Sequence, residues 1–185
     1  KIGSSGLREC VTKASKAANW SQKKNNKTPF KGIGLACCNH VSGNRPFARE
    51  FDGGSGIVRV GKDGRITVFH GESDMGQGQN TTFAQIVAER LGVTMDMVNV
   101  AQVDTDISPF GLGSFATRGT LMGGNGVLAA AKDAYDQMAD IAADMLNTKA
   151  ADVACRKAMF FSKSSSETKI SFQDIASEAT IRHHG

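Results

Sequence analysis

Aromatic residues are scarce in this chain of 185 residues, which holds one Trp and one Tyr. Nucleic-acid surfaces that interleave aromatics with basic residues are therefore not expected. The net charge of +4 comes from scattered Lys and Arg, apart from a small cluster at Lys23, Lys24 and Lys27. Long hydrophobic runs are also missing: none approaches the roughly 20 residues of a membrane span, and the first residues lack the apolar core of a signal peptide. The sequence predicts no membrane partner and a cytoplasmic location. Cysteines are few, and Cys10, Cys37, Cys38 and Cys155 are too irregularly spaced for a disulfide framework or a zinc site. The vicinal pair Cys37-Cys38 lies in an apolar stretch, where strand side chains alternate between faces and cannot easily chelate one metal. Buried free thiols are the expectation. What remains, 40% hydrophobic and 22% charged residues with 21 glycines, is a globular composition able to bury a core as one or two domains.

Along the chain, Leu7, Val11, Ala14 and Ala18 recur at helical spacing behind Ser4 and Ser5, which can cap a short amphipathic helix. A polar, basic linker, "SQKKNNKTP", follows, so residues 1–28 are read as a helix and linker, and 29–185 as the main domain. "KGIGLACCNHVSG" has the small and branched apolar residues of a buried strand. A loop through Pro46 leads to a hairpin whose strands, "SGIVRV" and "RITVFHG", are joined by Gly61-Lys-Asp-Gly64.

Next come a glycine turn, "GESDMGQGQNTT", and a helix carrying Phe83, Ile86, Val87 and Leu91 on one face and stopped by Gly92. "VNVAQVDTD" reads as a strand ending in acids. A glycine-rich loop, "ISPFGLGSFATRGTLMGGNG", precedes the longest helix, with Leu128, Ala131, Tyr135, Met138, Ala142 and Met145 on one face and Asp136, Asp140 and Asp144 on another. "KISFQDIASEA" predicts a short strand and a capped helix. The fold class expected is α+β, a mixed sheet with packed helices.

The glycine turn fails nucleotide templates. Gly71 and Gly76 have P-loop spacing, but Gln77 and Gly78 stand where a lysine and a Ser/Thr are needed for phosphate and magnesium. A dinucleotide fingerprint lacks its third glycine. A P-loop hydrolase is thus excluded. Both glycine segments end where helices begin, so each can offer backbone N–H groups and a positive helix end to an anionic ligand. Gly76 and Gly78 let the backbone approach a bulky ligand, and the Gln77 amide offers a donor and an acceptor without charge. Ser114, Thr117, Thr120 and Arg118 suit either a phosphate or a polar heterocycle. The alternative is that these residues only make turns and caps.

The run from "GGSGIVRV" through "GESDMGQGQNTTFAQIVAERLGV" and "DTDISPFGLGSFATRGTLMGGNGVLAAA" resembles the molybdenum-cofactor-binding subunit of the xanthine dehydrogenase and aldehyde oxidase family, the molybdenum hydroxylases. The likeness extends over Gly32 to about Ala131, and more faintly to Ala179. It implies a molybdopterin-binding fold in which Met75, Gly76 and Gln77 contact the pterin near the metal. It further implies that Phe115, Ala116, Thr117, Arg118 and Gly119 wrap its terminal phosphate or pterin edge, the pterin being simple or a dinucleotide. In the family the metal is held by dithiolene sulfurs, so no protein ligand to metal is expected.

The family reaction hydroxylates an electron-poor carbon of an aldehyde, N-heterocycle or aromatic acyl-CoA with oxygen from water. Electrons leave through iron-sulfur clusters to flavin (FAD) on other domains or subunits. The family's glutamate base lies beyond "ATIRHHG", so no catalytic residue is expected in this segment. The resemblance marks the chain as a C-terminal piece of a larger subunit, inactive and without cofactor in isolation. A non-catalytic ligand-binding or assembly module that keeps the fold is the competing reading.

Other tempting residues have simpler roles. Glu72 and Asp74 are read as surface acids of a polar turn rather than an acid/base pair. His70 and His40 are read as packed or capped residues, Asp104 and Asp106 as loop-shaping acids, and Met95 and Met97 as packing.

Overall fold

The computed structural model describes residues 5–38, 40, 52–165 and 167–184. The expected loop through Pro46 lies outside them. The chain divides into two compact units, Lys1–His40 and Val41–Gly185.

In the first unit, α1 (Leu7–Ala17) has Gly6 at its N-cap, and the Ser5 hydroxyl accepts a weak hydrogen bond from Leu7 N at 3.5 Å. Asn19, in a left-handed conformation, turns the chain into α2 (Trp20–Lys23), a short helix inside the expected linker. The strand expected in "KGIGLACCNH" does not form: no residue of 31–38 is in regular structure, and Cys37 and Cys38 are exposed rather than buried. A strand needs a neighbour for its backbone groups, and none pairs with this stretch among the described residues.

The second unit opens with the expected hairpin. β1 (Gly56–Val60) pairs antiparallel with β2 (Ile66–His70), in a register set by Val58 opposite Val68. The turn closes through Gly64 N to Gly61 O at 2.8 Å, and Asp63 accepts from Arg65 N at 3.1 Å. The period-two pattern puts Ile66, Val68 and His70 inward. α3 (Gln79–Leu91) then crosses over to β3 (Val98–Val100), which runs parallel to β2. β3 is shorter than the sequence suggested, because past Ala101 the chain turns through 104–108, where Asp104 accepts from Asp106 N at 2.8 Å.

The long helix begins as a π-turn, Gly119–Gly123, and continues as α4 (Gly124–Met145). Its buried face carries Val127, Ala131, Met138, Ile141 and Ala142, whereas Leu128 and Met145 are largely exposed, contrary to expectation. α4 packs on α3, β1 and α5, so its apolar face is broad and rotated from the single stripe read in the sequence. A second antiparallel sheet of β4 (Val153–Arg156), β5 (Met159–Ser162) and β6 (Lys169–Ser171) follows, then α5 (Phe172–His184). The expected α+β fold is present: β1–β3 form the mixed sheet, and a second, antiparallel sheet is added to it. α5 is capped as predicted: Ser171 Oγ accepts from Asp174 N at 3.0 Å and donates to the Asp174 carboxylate at 2.6 Å. Phe160 stacks on Phe172 at 5.8 Å between centroids, joining the second sheet to the shared core.

Candidate functional site

The β-α-β arrangement brings the two glycine segments together. Gly71, at the end of β2, and Gly111 cross so closely that a Cβ on either would collide with the other's backbone. Ser114 Oγ also donates a short hydrogen bond to Ser73 O. Beyond this crossing the loops diverge around a cleft of about 450 Å³, lined by Met75, Gln77 and Gln79 from the first and by Ser114–Thr117, Gly119 and Thr120 from the second. Six of the eight residues assigned to the cofactor thus line one cleft. Gly76 lies in the first loop between Met75 and Gln77, and Arg118 lies beneath the second.

Backbone geometry here is unusual. Gly76 (φ 103°) and Gly78 (φ 78°) hold positive φ, and a Cβ built on either meets nothing within 4 Å. Their glycine character therefore serves the turn and leaves its outer side open. Across the cleft, Ala116 (φ 48°) and Thr117 (φ 66°) also have positive φ, a conformation that is rare for a β-branched residue and marks local strain. The π-turn immediately after them is a feature frequent at functional positions.

Polar groups in the first loop are partly self-satisfied. Gln77 Oε1 accepts from Met75 N at 2.6 Å, and Gln77 Nε2 donates to Ser73 O at 2.9 Å. One amide N–H and one lone pair remain for a ligand. Asp74 accepts from Gly76 N at 2.9 Å and from Asn80 N at 3.1 Å, and these bonds hold its carboxyl below the usual carboxylate range. The start of α3, expected to face an anionic ligand, is thus already occupied by a carboxylate of its own turn.

Glu72, read as minor in the sequence, and Arg118, read as a cofactor contact, prove central to the interior beneath the loops. Glu72 is not a surface turn acid: it is fully buried, and both its oxygens accept from Arg118 Nη1 at 2.7 Å. Arg118 is itself buried, and Nη1 also donates to Gly113 O at 2.9 Å, Nε to Asp52 Oδ1 at 3.0 Å, and Nη2 to Gly53 O. Burial opposes its charge, yet the bonds to Asp52 and Glu72 outweigh burial and raise its pKa above the ordinary arginine value. Glu72 is further enclosed by the π-turn, since a Cβ on Gly123 would sit 2.5 Å from its Cγ. Sequence reasoning also passed over Gln79. It is buried at the start of α3, with its Oε1 against the space a Cβ on Gly119 would fill and its Nε2 3.5 Å from Thr120 Oγ1.

His70 is packed, as expected. Its ring meets Phe83 edge-on at 4.6 Å, Nε2 lies 3.1 Å from Asn80 Oδ1, and Nδ1 accepts from Glu72 N at 3.3 Å. Burial lowers its pKa, favouring the neutral ring. His40, by contrast, is exposed. Among the described residues there is no group of His, Cys, Asp and Glu able to hold a metal, and no helix is long and apolar enough to cross a membrane.

Comparison with known proteins identifies the family and the fold. A family model described as "Molybdopterin cofactor-binding domain" matches residues 10–184. The xanthine dehydrogenase molybdenum-binding subunit of Escherichia coli O157:H7 is 31% identical over 97% of this chain and 24% of its own length. The carbon monoxide dehydrogenase large chain of Hydrogenophaga pseudoflava is 30% identical over 83% of this chain and 20% of its own. The crystal structure of quinoline 2-oxidoreductase from Pseudomonas putida 86 superposes with a TM-score of 0.66 at 25% identity, covering 71% of this chain and 16% of that one. The CO dehydrogenase of Oligotropha carboxidovorans gives 0.63 at 30% identity, covering 68% and 16%. The chain spans about a quarter or less of the length of these relatives.

Proposed function

Because the chain belongs to the molybdopterin cofactor-binding domain family, we propose that its two glycine loops form one side of a molybdopterin site in a larger molybdenum hydroxylase subunit. The observation that carries this reading is the cleft itself, in which Met75 and Gln77 face Phe115, Ala116, Thr117 and Gly119 across open space. The residues fit the group. Gly76 and Gly78 leave the outer side of their turn free, the exposed Met75 and Phe115 side chains offer apolar cover for a flat ring, and Gln77 retains one donor and one acceptor for its polar edge.

When bound, the group supplies a redox-active metal held by its own dithiolene sulfurs, so nothing in this chain is asked to ligate metal. The chain's part is to bind and orient. Gln77 reads the polar rim, Thr117 and Gly119 approach from the opposite wall, and the apolar side chains limit water at the ring faces. Glu72 does not act as a proton acceptor at the cleft, because both its oxygens are engaged by Arg118 in the interior. A base for the reaction must come from elsewhere in the subunit.

The complete enzyme is, in this reading, a cytoplasmic oxidoreductase of the xanthine dehydrogenase and aldehyde oxidase type. It adds a water-derived oxygen to an electron-poor carbon of an aldehyde, N-heterocycle or aromatic acyl-CoA. The pterin is carried alone or as a dinucleotide, and electrons pass to iron-sulfur clusters and FAD on partner domains or subunits.

The test is the metal and pterin content of the full-length polypeptide carrying these residues, purified from a host that makes the cofactor. Molybdenum and pterin are expected in equal amounts, while residues 1–185 expressed alone retain neither and show no turnover. A full-length protein with neither would overturn the reading.

A further inference from the structure

Arg118 is the largest fully buried side chain among the described residues, yet its neighbours Thr117 and Gly119 line the cleft. The chain achieves this reversal through the left-handed backbone at Ala116 and Thr117, which turns residue 118 inward beneath the second loop. There the guanidinium meets four residues on three separate pieces of chain: Glu72 at the root of the first loop, Gly113 O in the second, and Asp52 and Gly53 O on the segment before β1. A strained pair of residues persists only where its surroundings over-determine it, and a planar fork fixed at several points does that.

Resting on the reading of the cleft as a pterin site, we infer that Arg118 is a positioning residue, a buried strut that sets the distance between the two cofactor-binding loops through Glu72 and Gly113. Its charge is not aimed at the ligand. Glu72 is the anchor on the first loop, held in place by Phe83 and Gly123 around the same π-turn, since a Cβ on Gly123 would touch both Glu72 Cγ and Phe83. A lysine at 118 preserves the charge but presents a point rather than a fork, so it cannot hold the two loops and the 52–53 segment together.

The test uses Arg118→Lys and Glu72→Gln in the full-length polypeptide, with two readouts. The first is backbone amide exchange over 113–120, read on full-length protein from a host that does not make the cofactor, so that pterin loss does not enter. Both variants should speed exchange there by about tenfold or more beyond any acceleration in β4–β6. The second is pterin retained per polypeptide after dialysis, expected to fall by about tenfold, the size typical of losing a group that orients a binding residue.

Unchanged exchange over 113–120 in both variants would overturn the strut, as would wild-type pterin retention. Acceleration spread evenly over the whole unit would also overturn it, showing a general stabilising role. If Arg118→Lys does not fold, Glu72→Gln carries both readouts, because it keeps an acceptor on Arg118 and a shape close to the original. A wild-type protein without pterin overturns the cofactor reading instead, and the exchange result then decides the strut by itself.

Discussion

Both carboxylate oxygens of Glu72 lie 2.7 Å from Nη1 of Arg118, with neither side chain exposed, although the two residues are 46 positions apart. Asp52 adds a second carboxylate to the same guanidinium, and its Oδ2 has no hydrogen-bond partner among the described residues. Among the described residues the group therefore carries one cation for two carboxylates. Removing the cation is expected to hurt most, since it strands two buried carboxylates: Arg118→Met should lower stability by about 3–5 kcal/mol. Glu72→Gln keeps an acceptor and should cost about 1.5–3 kcal/mol. Urea unfolding of the two variants checks the order. Equal and small losses would show that the pair contributes little.

Acid should weaken the fold in a way that His70 reports. Its folded pKa is lowered, chiefly by burial, so the folded state binds fewer protons than the unfolded one. The stability from the neutral ring is fully present above about pH 6.5 and is lost as pH falls from there through the folded pKa. His70→Gln should flatten the stability profile between about pH 5 and 7. Asp74, also depressed, adds a loss beginning near pH 4, visible in the amide shifts of Gly76 and Asn80, whose N–H groups it accepts. A variant profile superposing on wild type over the higher range would remove His70 from the account.

The cysteines divide by exposure rather than by sequence context. Cys10, Cys37 and Cys38 are exposed, whereas burial pushes the Cys155 thiol up to about 12. At pH 8 that leaves Cys155 on the order of a thousandfold less thiolate than an ordinary cysteine. Timed alkylation followed by peptide mass analysis should show three thiols modified early and Cys155 only on unfolding. Early labelling of Cys155 would contradict the packing of β4 on the turn after α3.

That turn supplies a sharper structural test. Gly92 ends α3 at φ 72°, and a Cβ there would collide with the carbonyl of Cys155, while Ala158 N donates to Gly92 O at 2.9 Å. Gly92→Ala combines the left-handed penalty, about 1 kcal/mol, with a backbone clash costing about 1–3 kcal/mol more. A drop in thermal midpoint of several degrees is expected, and no change would mean that the two sheets are not joined here.

How far the fold was legible depended on whether its causes were local. The β1–β2 hairpin, the α3 helix with its Gly92 stop and the Ser171–Asp174 cap each rest on residues a few positions apart, and all three are present. The β4–β5 hairpin escaped notice because its turn sets Lys157 (φ 52°) and Ala158 (φ 57°) in the left-handed region usually marked by Asn or Gly. The Glu72–Arg118 pair was invisible for another reason: a buried ion pair between distant loops leaves no periodic trace. Glu72 in a polar turn therefore looked solvated, and Arg118 looked like a ligand for phosphate. The cleft walls were readable, but the charge that joins them was not.

Gln77 separates the turn's structural work from its role toward a ligand. Its amide closes the first loop through Met75 N and Ser73 O, yet the residue is exposed, so water can replace either partner. Gln77→Leu, similar in size, should therefore lower the stability of the fold by less than about 1 kcal/mol. At the cofactor the same change removes a donor and an acceptor that a bound pterin would exclude from water, and an unpaired polar group there costs about 1–3 kcal/mol. The full-length variant should thus fold normally while retaining roughly 5–150-fold less pterin at limiting cofactor. Molybdenum analysis beside a thermal melt reads both effects on one sample. Full metal content with an unchanged melt would show that Gln77 only shapes the turn, and the first loop would lose its claim to the pterin.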